Sequence, residues 1–294
     1  MAGIDNAGKS SILHILKKNY SFLNKLKPTK GIERISSKIL GIDLVFWDMG
    51  GQEQYIQQYF DRKEYIFNEL SLLFFIIDIQ DAERFDKVLS YFERIVSVFH
   101  ELDQSPNIII LFHKVDPDIE YSSEIKLYIE DLKKSILKIA SEFKIAFFNT
   151  SIFKRWSIVD AFSYSIRSLF EENVAKISDY LKNWADFFGA TSLLLMSADD
   201  IVISEFSTES ESASILDQYV DELRKIYSSS QKPVEIKTNG DFLTLNPLNI
   251  KDYLLYLIKY TNNPNVSEEQ FTQSIPIENI NELEDILSNF FQKA

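Results

Sequence analysis

Short, nearly continuous apolar runs alternate with amphipathic stretches over the first 170 residues. Residues 72–79, 108–112 and 145–149 are apolar over lengths typical of strands that are buried on both faces. Amphipathic spacing predicts helices over 85–102, 125–143 and 157–170. Strands that alternate with helices predict a doubly wound α/β domain with a parallel sheet, whose ligand site lies at the carboxyl ends of the strands.

Ahead of those strands the pattern predicts one more helix and a hairpin. Residues 9–20 have helical spacing. Residues 39–47 form an apolar, β-rich run interrupted by Gly41 and Asp43, which favours a hairpin with the segment around Ile35.

The pattern changes after about residue 172. Asn239 and Gly240 form a strong two-residue hairpin signal. The spacing predicts helices over 174–188, 212–227 and 280–291 and strands over 192–196, 201–206, 234–237, 242–245 and 253–260. We therefore expect two domains, an α/β domain over 1–172 and a compact α+β domain over 173–294.

Composition and charge narrow the function classes. The chain has 294 residues with 45% hydrophobic content, no cysteine and a net charge of −13. This acidity argues against nonspecific binding to nucleic acid or to an anionic membrane. Residues 174–294 hold 9 Lys and Arg against 19 Asp and Glu, so the second domain has the more acidic surface. With no signal segment or apolar run of membrane-spanning length, the expected location is cytoplasmic.

The stretch from Gly3 to Ser10 matches the phosphate-binding pattern GxxxxGK[ST] at every fixed position. The glycines allow backbone N–H groups to surround a polyphosphate, Lys9 reaches the β- and γ-oxygens, and the Ser10 hydroxyl ligates Mg²⁺. A chance match is expected in roughly one per cent of chains of this length, so the downstream motifs decide the assignment.

A strand normally precedes this motif, but only Met1 and Ala2 stand before Gly3. We expect Met1 to be an internal methionine at the end of the first strand, so that the natural chain would start further upstream. That strand would lie in the middle of the parallel sheet.

Two further segments have the chemistry of a triphosphate switch. Asp48 and Gln52, in the run Asp-Met-Gly-Gly-Gln, follow a β-rich run: the carboxylate supports Mg²⁺, the Gly51 N–H reaches the γ-phosphate, and the glutamine orients the attacking water. The alternative is an ordinary strand-to-loop turn. Thr29, between the two motifs, is expected to contact Mg²⁺ and the γ-phosphate, although a loop threonine after proline is otherwise unremarkable.

The base-reading segments follow two of the predicted strands. Asp116 can accept from N1–H and the exocyclic amine of guanine, a pair that adenine does not offer, and the stem of Lys114 can cover the base. His113 stands where the usual guanine motif has asparagine, and its alternative role is to brace the loop. Thr150 and Ser151 can present backbone N–H to the guanine carbonyl.

Together these motifs resemble the Ras-related superfamily near its Arf branch, on the stretches Gly3 to Ser11 and Trp47 to Gln52. The long segment 59–67, the histidine variant at 113–116 and the Thr-Ser-Ile run at 150–152 are more similar to the Rag/Gtr GTPases. The order of elements after residue 174 resembles the roadblock/longin-type dimerisation domain of those proteins.

The resemblance implies a role for each matching position. Lys9 and Gln52 would be catalytic, and Ser10, Thr29 and Asp48 would hold Mg²⁺. The nucleotide contacts it implies are Gly3, Asp5, Asn6, Ala7, Gly8, Lys9, Ser10, Ser11, Thr29, Gly51, His113, Lys114, Asp116, Thr150, Ser151 and Ile152.

The expected function is a regulatory small GTPase that binds GTP or GDP with Mg²⁺ and hydrolyses GTP slowly. Arg34 and Arg62 lie in or beside the switches without a motif that makes either a catalytic arginine. We therefore expect stimulation by a GTPase-activating protein, together with an exchange factor.

The resemblance also implies a second Rag-like or roadblock-type protein bound through the acidic domain, and peripheral attachment to a membrane through partners. The alternative for that domain is a self-contained lid on the GTPase domain. An alternative for the whole chain is a nucleotide-bound assembly subunit with little hydrolysis. A third, an ATP-using phosphate-loop enzyme, is disfavoured by Asp116.

Overall fold

The computed structural model of the protein describes residues 1–16, 31–39, 42–50, 52–198, 200–208, 219–220, 222–229, 232–238, 240–250 and 253–292. The chain divides into two compact units. One contains Met1–Ser37 and Leu44–Ser165, and the other contains Lys38–Asp43 and Ile166–Ala294.

A parallel sheet in the order β3-β4-β5 lies at the centre of the first unit. Its strands are β3 (Leu72–Asp78), β4 (Asn107–His113) and β5 (Ile145–Thr150), and every residue of β3 and β4 after the first is buried. Strands β1 (Ile32–Ile39) and β2 (Ile42–Met49) pair with each other. Burial on both faces explains why the central strands are continuously apolar.

The backbone of Met1 and Ala2 lies between β2 and β3. Ala2 forms a parallel bridge with Phe75, its N–H donates to the Phe74 carbonyl at 2.8 Å, and its carbonyl accepts from the Ile76 N–H at 2.9 Å. On the other side the Met1 carbonyl accepts from the Met49 N–H at 3.3 Å. Later segments thus lie on both sides of residues 1–2, and sites in open α/β sheets form at such a reversal of strand order.

The helices of the first unit cover the sheet with their apolar faces. One cluster of buried side chains joins β3 and β4 to helix α4 and helix α5. The helices are α1 (Lys9–Leu16), α2 (Glu53–Asp61), α3 (Lys63–Phe67), α4 (Phe85–Glu101) and α5 (Ser123–Ile139), with a 3₁₀ turn over Ala82–Arg84. Helix α6 (Arg155–Leu169) continues past the limit of this unit.

The second unit is built on a five-stranded antiparallel sheet in the order β7-β6-β10-β9-β8. Residues 219–220 and 222–229 are helical. The strands are β6 (Ser192–Ser197), β7 (Val202–Ser207), β8 (Val234–Thr238), β9 (Asp241–Ile250) and β10 (Tyr253–Thr261), and the other helices are α7 (Glu171–Phe188), α8 (Glu268–Thr272) and α9 (Ile277–Gln292).

The structure confirms the predicted strands, the parallel sheet, and the hairpin whose pairing of Thr238 with Asp241 leaves a two-residue turn. Helix α5 ends at Ile139, four residues before its predicted end. Parts of the predicted helices 9–20 and 212–227 lie outside the described residues.

Candidate functional site

The segment from Gly3 to Ser10 forms a loop between the pairing residue Ala2 and helix α1. Gly3 and Gly8 have φ values of 145° and 93°, where side chains are rarely tolerated. A Cβ atom on Gly3 would lie 2.4 Å from the Ile76 carbonyl oxygen, and one on Gly8 would lie 2.4 Å from Cδ2 of His113. The glycines therefore let the loop approach the sheet edge closely.

Lys9 is buried and turns its ammonium group into this loop. Its Nζ donates to the carbonyl oxygens of Gly3 and Ile4, each at 2.9 Å. Lys9 is also the first residue of α1, so the positive end of the helix dipole and a lysine charge meet at one place. A loop with these features fits a polyphosphate group.

His113 lies at the end of β4 directly against the loop. It is buried, and its Nδ1 is 3.0 Å from the Thr150 hydroxyl oxygen at the end of β5. Burial lowers the pKa of His113 to about 4, with Lys114 adding to the effect, so the ring is neutral at physiological pH. The neutral His113 ring lies between Thr150 of β5 and Gly8, so its position fits the alternative role of supporting the loop.

Asp116 is held by side chains from two other loops. Its Oδ1 accepts from the Ser151 hydroxyl at 2.5 Å, and its Oδ2 accepts from the Gln80 amide at 3.1 Å. The same Gln80 amide donates to the Lys114 carbonyl at 2.8 Å. Lys114 in turn donates through Nζ to Asp78 Oδ2 at 2.5 Å. The ends of β3, β4 and β5 thus converge on one carboxylate.

Arg84, in the 3₁₀ turn before α4, forms hydrogen bonds to the loop between Gly3 and Ser10. Its Nη1 donates to Asp5 Oδ1 at 3.0 Å, its Nη2 donates to the Asp5 carbonyl at 3.2 Å, and its Nε donates to Asp81 Oδ2 at 2.6 Å. Hydrogen bonding to Asp81, together with the charge of Asp5, raises the pKa of Arg84.

Sequence reasoning did not identify Gln80, Arg84 or Asp78 as members of this site. Asp78 ends the buried strand β3, and Gln80 and Arg84 lie in the loop and the 3₁₀ turn that follow it. This position at a strand end was the available signal, because strand ends meet at the ligand edge of a parallel sheet. Arg62 lies between α2 and α3, and its N–H bonds to the Tyr59 carbonyl at 3.2 Å.

The predicted switch residues are only partly described. Gln52 precedes α2 in extended conformation, and its carbonyl accepts from the N–H groups of Tyr55 and Ile56 at 2.9 and 3.1 Å. Asp48 is the penultimate residue of β2, whose end lies beside Met1 at the start of the loop. Thr29 and Gly51 lie outside the described residues.

The remaining predicted contacts surround the same loop. Asn6 is exposed with a φ of 62°, Ala7 is fully buried, and Ser10 and Ser11 are half-buried in the first turn of α1. Ile152 follows Ser151 and is half-buried. The Ser10 hydroxyl supplies an oxygen ligand of the kind that Mg²⁺ prefers, so its chemistry fits the predicted ion, whereas the side chain of Asp48 lies outside the described part of the structure.

Two features of the described part of the chain bear on other classes of function. Among those residues, no group of three or more His, Cys, Asp or Glu is arranged to hold a metal ion. No helix there is both long and apolar enough to cross a membrane.

Comparisons with known proteins identify a family and relatives of this chain. Residues 1–224 match the model of the Gtr1/RagA G protein conserved region. The chain is 27% identical over 202 residues to GTP-binding protein GTR1 of Saccharomyces cerevisiae, which covers 66% of this chain and 64% of the yeast protein. It is 24% identical over 197 residues to Ras-related GTP-binding protein B of Rattus norvegicus, covering 65% of this chain and 51% of that protein.

A third relative is ADP-ribosylation factor-like protein 3 of Saccharomyces cerevisiae, 33% identical over 146 residues that cover 47% of this chain and 66% of that protein. A solved structure of the Arl6 BBS3 small GTPase from Trypanosoma brucei with bound GppNp aligns with a TM-score of 0.47 and 18% identity, over 57% of this chain and 94% of that chain. The chain spans less than two thirds of the length of GTR1 and of protein B. On the match over residues 1–224, the protein belongs to the Gtr1/RagA G protein family.

Proposed function

We propose that the protein is a regulatory GTPase that binds GTP and GDP with Mg²⁺ and changes its switch conformation on hydrolysis. The observation that carries this proposal is the buried ammonium of Lys9 inside a glycine loop, at the reversal point of the strand order. The ammonium donates to two loop carbonyls. A polyphosphate would replace those carbonyls as its partner.

In this proposal the loop binds the phosphates, and Ser10, Asp48 and Thr29 hold Mg²⁺. When bound, the ion neutralises charge on the β- and γ-phosphates. Gln52, at the start of α2, orients the attacking water, and the Gly51 N–H contacts the γ-phosphate. An arginine supplied by a GTPase-activating protein would accelerate hydrolysis by about 10³ to 10⁵.

Guanine specificity is assigned to Asp116. Its two oxygens point in directions fixed by Ser151 and Gln80, so the carboxylate is ready to accept two donors in one plane. Guanine presents that pair at N1–H and the exocyclic amine. Competition of a labelled GTP analogue by excess ATP checks this directly, because effective competition by ATP would contradict a guanine site.

Titration calorimetry with GDP and a non-hydrolysable GTP analogue tests nucleotide binding. We expect Lys9→Ala to abolish tight binding, because the loop loses its buried cation. Lys134→Ala, an exposed lysine paired with Asp131 on α5, is the matched control and should bind normally. Absence of binding by the unmodified protein would refute the proposal.

Single-turnover hydrolysis separates a switch from a nucleotide-bound scaffold. Gln52→Leu should lower the hydrolysis rate while leaving affinity for the GTP analogue unchanged, because the side chain acts on water rather than on phosphate. Equal rates in the two proteins would remove Gln52 from the mechanism. Binding without hydrolysis in both would favour the scaffold.

We further propose that residues 1–172 form the GTPase domain and that 173–294 form a roadblock/longin-like dimerisation domain. Support comes from the five-stranded sheet of the second unit, in which β7 and β8 are the outer strands. Outer strands offer backbone groups for pairing with another sheet. Native mass measurement of the full chain and of fragment 174–294 tests this, and monomers in both cases would favour the lid alternative.

A further inference from the structure

Tyr59 of helix α2 is a buried tyrosine whose hydroxyl reaches the backbone of two separate loops. The side chain is 2% exposed, and its oxygen lies 2.8 Å from the Gly31 carbonyl and 2.9 Å from the Gly50 carbonyl. Gly31 lies 28 residues and Gly50 lies 9 residues before Tyr59 in the chain. One hydroxyl proton is therefore directed at a pair of carbonyls that the chain separates.

The two loops also bond to each other at this point. The Gly50 N–H donates to the Gly31 carbonyl at 2.8 Å. The Gly31 carbonyl thus accepts from the Gly50 N–H and from the Tyr59 hydroxyl, and the Gly50 carbonyl accepts from the same hydroxyl. The three residues form one closed hydrogen-bonded triangle within the first unit.

Both glycines lie close in sequence to residues that have a role in the proposed function. Gly31 comes two residues after Thr29, and Gly50 comes immediately before Gly51. Under the proposed function, Thr29 and the Gly51 N–H are the two groups that contact the γ-phosphate. The contact between Gly31 and Gly50 therefore joins the described residues nearest in sequence to these two proposed γ-phosphate contacts.

We propose that Tyr59 is a positioning residue that joins the two switch segments and so favours the triphosphate over the diphosphate. The proposal rests on the proposed GTPase function, and it assigns the nucleotide-state preference to one buried hydroxyl. GDP has no γ-phosphate, so its affinity does not depend on this arrangement.

The hydroxyl can be removed without changing the shape of the surrounding core. Phenylalanine in place of Tyr59 keeps the buried ring, which belongs to the same cluster of buried side chains as Tyr91 and Phe92. The hydrogen bonds to the two carbonyls are lost with the hydroxyl. A buried hydrogen bond of this type changes an equilibrium by about threefold to tenfold.

The test is the affinity of the full chain for GDP and for a non-hydrolysable GTP analogue, with Mg²⁺ present. Tyr59→Phe is expected to weaken binding of the analogue by about threefold to tenfold while GDP affinity changes less than twofold. Tyr260→Phe is the matched control: it removes another buried tyrosine hydroxyl, 1% exposed, from β10 of the second unit, where it donates to Asp241 Oδ1 at 3.0 Å. It should leave the ratio of the two affinities unchanged.

Each other outcome has a separate meaning. Equal weakening of both nucleotides, no change in either, or the same ratio shift in Tyr260→Phe would overturn the role of Tyr59 and leave GTP binding intact. Failure of the unmodified protein to bind either nucleotide would instead overturn the proposed function. Thermal unfolding of the GDP-bound variants checks that folding is retained.

A second substitution guards against a folding defect in Tyr59→Phe. Site-specific 3-fluorotyrosine at position 59 keeps the ring and makes the hydroxyl a stronger donor. The affinity ratio should then shift toward the triphosphate, opposite to the shift for phenylalanine. A shift in the same direction as phenylalanine would contradict the proposal.

Discussion

His113 is a neutral buried side chain that sets a pH limit on the first unit. Burial holds its folded-state pKa at about 4, below the ordinary value of 6.5. As the pH falls from 6.5 to 4, the unfolded chain takes up the proton and the folded chain does not. Protonation in this window therefore favours unfolding, and the loss is on the order of 3 kcal/mol.

We expect His113→Asn to flatten the pH dependence of the unfolding free energy between pH 4 and 6.5. Denaturant unfolding of the unmodified protein and of His113→Asn across this range gives the difference between their unfolding free energies. Taking this difference removes the contribution of the carboxylates, which the two proteins share. His100→Asn is the control, because that histidine is exposed and pairs with Glu142 on the surface. An equally steep dependence in His113→Asn would contradict the burial argument.

Arg84 compensates the charge of Asp5, a carboxylate in the proposed phosphate-binding loop. Without Arg84, the charge of Asp5 would repel the phosphates, and GTP more than GDP. We expect Arg84→Ala to weaken binding of the GTP analogue about twofold to fivefold, in keeping with a partly exposed ion pair. The double variant Asp5→Ala with Arg84→Ala should recover most of that loss in calorimetry, whereas no recovery would mean that Arg84 acts on the nucleotide itself.

The site residues that could be predicted from the sequence are those in fixed local patterns. Lys9, Ser10 and Asp116 stand in motifs of fixed local spacing, so the sequence alone makes them candidates for the site. Arg84 contacts Asp5 across 79 residues, and Gln80 contacts Asp116 across 36, so no local pattern records either pair. Only the folded strand ends bring such residues together.

At the scale of elements, α2 is held against α4 by polar and aromatic contacts. The Arg94 guanidinium lies 4.0 Å from the centre of the Phe60 ring, and its Nη2 donates to the Gln57 side chain at 3.1 Å. Lys87 of α4 also pairs with Glu53 at 3.0 Å. These contacts act on the helix that carries Tyr59 and follows Gln52.

We expect Arg94→Ala to loosen α2 while the rest of the first unit stays folded, because it removes a cation–π contact and a hydrogen bond of moderate strength. Hydrogen exchange should accelerate in peptides from Glu53–Asp61. Lys133→Ala, on the neighbouring helix α5, is the control for loss of a basic residue. Unchanged exchange over α2 would show that its apolar face alone holds it.

Elements with strong periodicity could be predicted, and short polar ones could not. Strands β3 and β4 are continuously apolar, and α4 is a long amphipathic helix, so their patterns are unambiguous. Helices α2, α3 and α8 have nine residues or fewer, and α2 is rich in glutamine. Their packing against long-range partners, rather than their own sequence, defines them.

At the scale of the whole molecule, each unit contains a buried basic group with a displaced pKa. In the second unit Lys259 is 1% exposed, and its Nζ donates to the carbonyls of Phe271 and Gln273 and lies 4.1 Å from the centre of the Phe188 ring. Burial lowers its pKa from 10.5 to about 8, although the charge of Glu235 opposes the shift. For both His113 and Lys259 the pKa is lower in the folded than in the unfolded chain, so stability falls as the pH falls through the interval between the two values.

The stability of the first unit should therefore depend on pH in the acid range through His113, and that of the second unit in the alkaline range through Lys259. Between pH 8 and 10.5 the folded chain has released the Lys259 proton and the unfolded chain still binds it, so stability of the second unit rises with pH. We expect Lys259→Met to remove this rise, as seen by hydrogen exchange over β10, without changing the response of α5 peptides between pH 4 and 6.5. His113→Asn should show the reverse pattern. If either substitution altered both windows equally, the two titrations would not be local to their units.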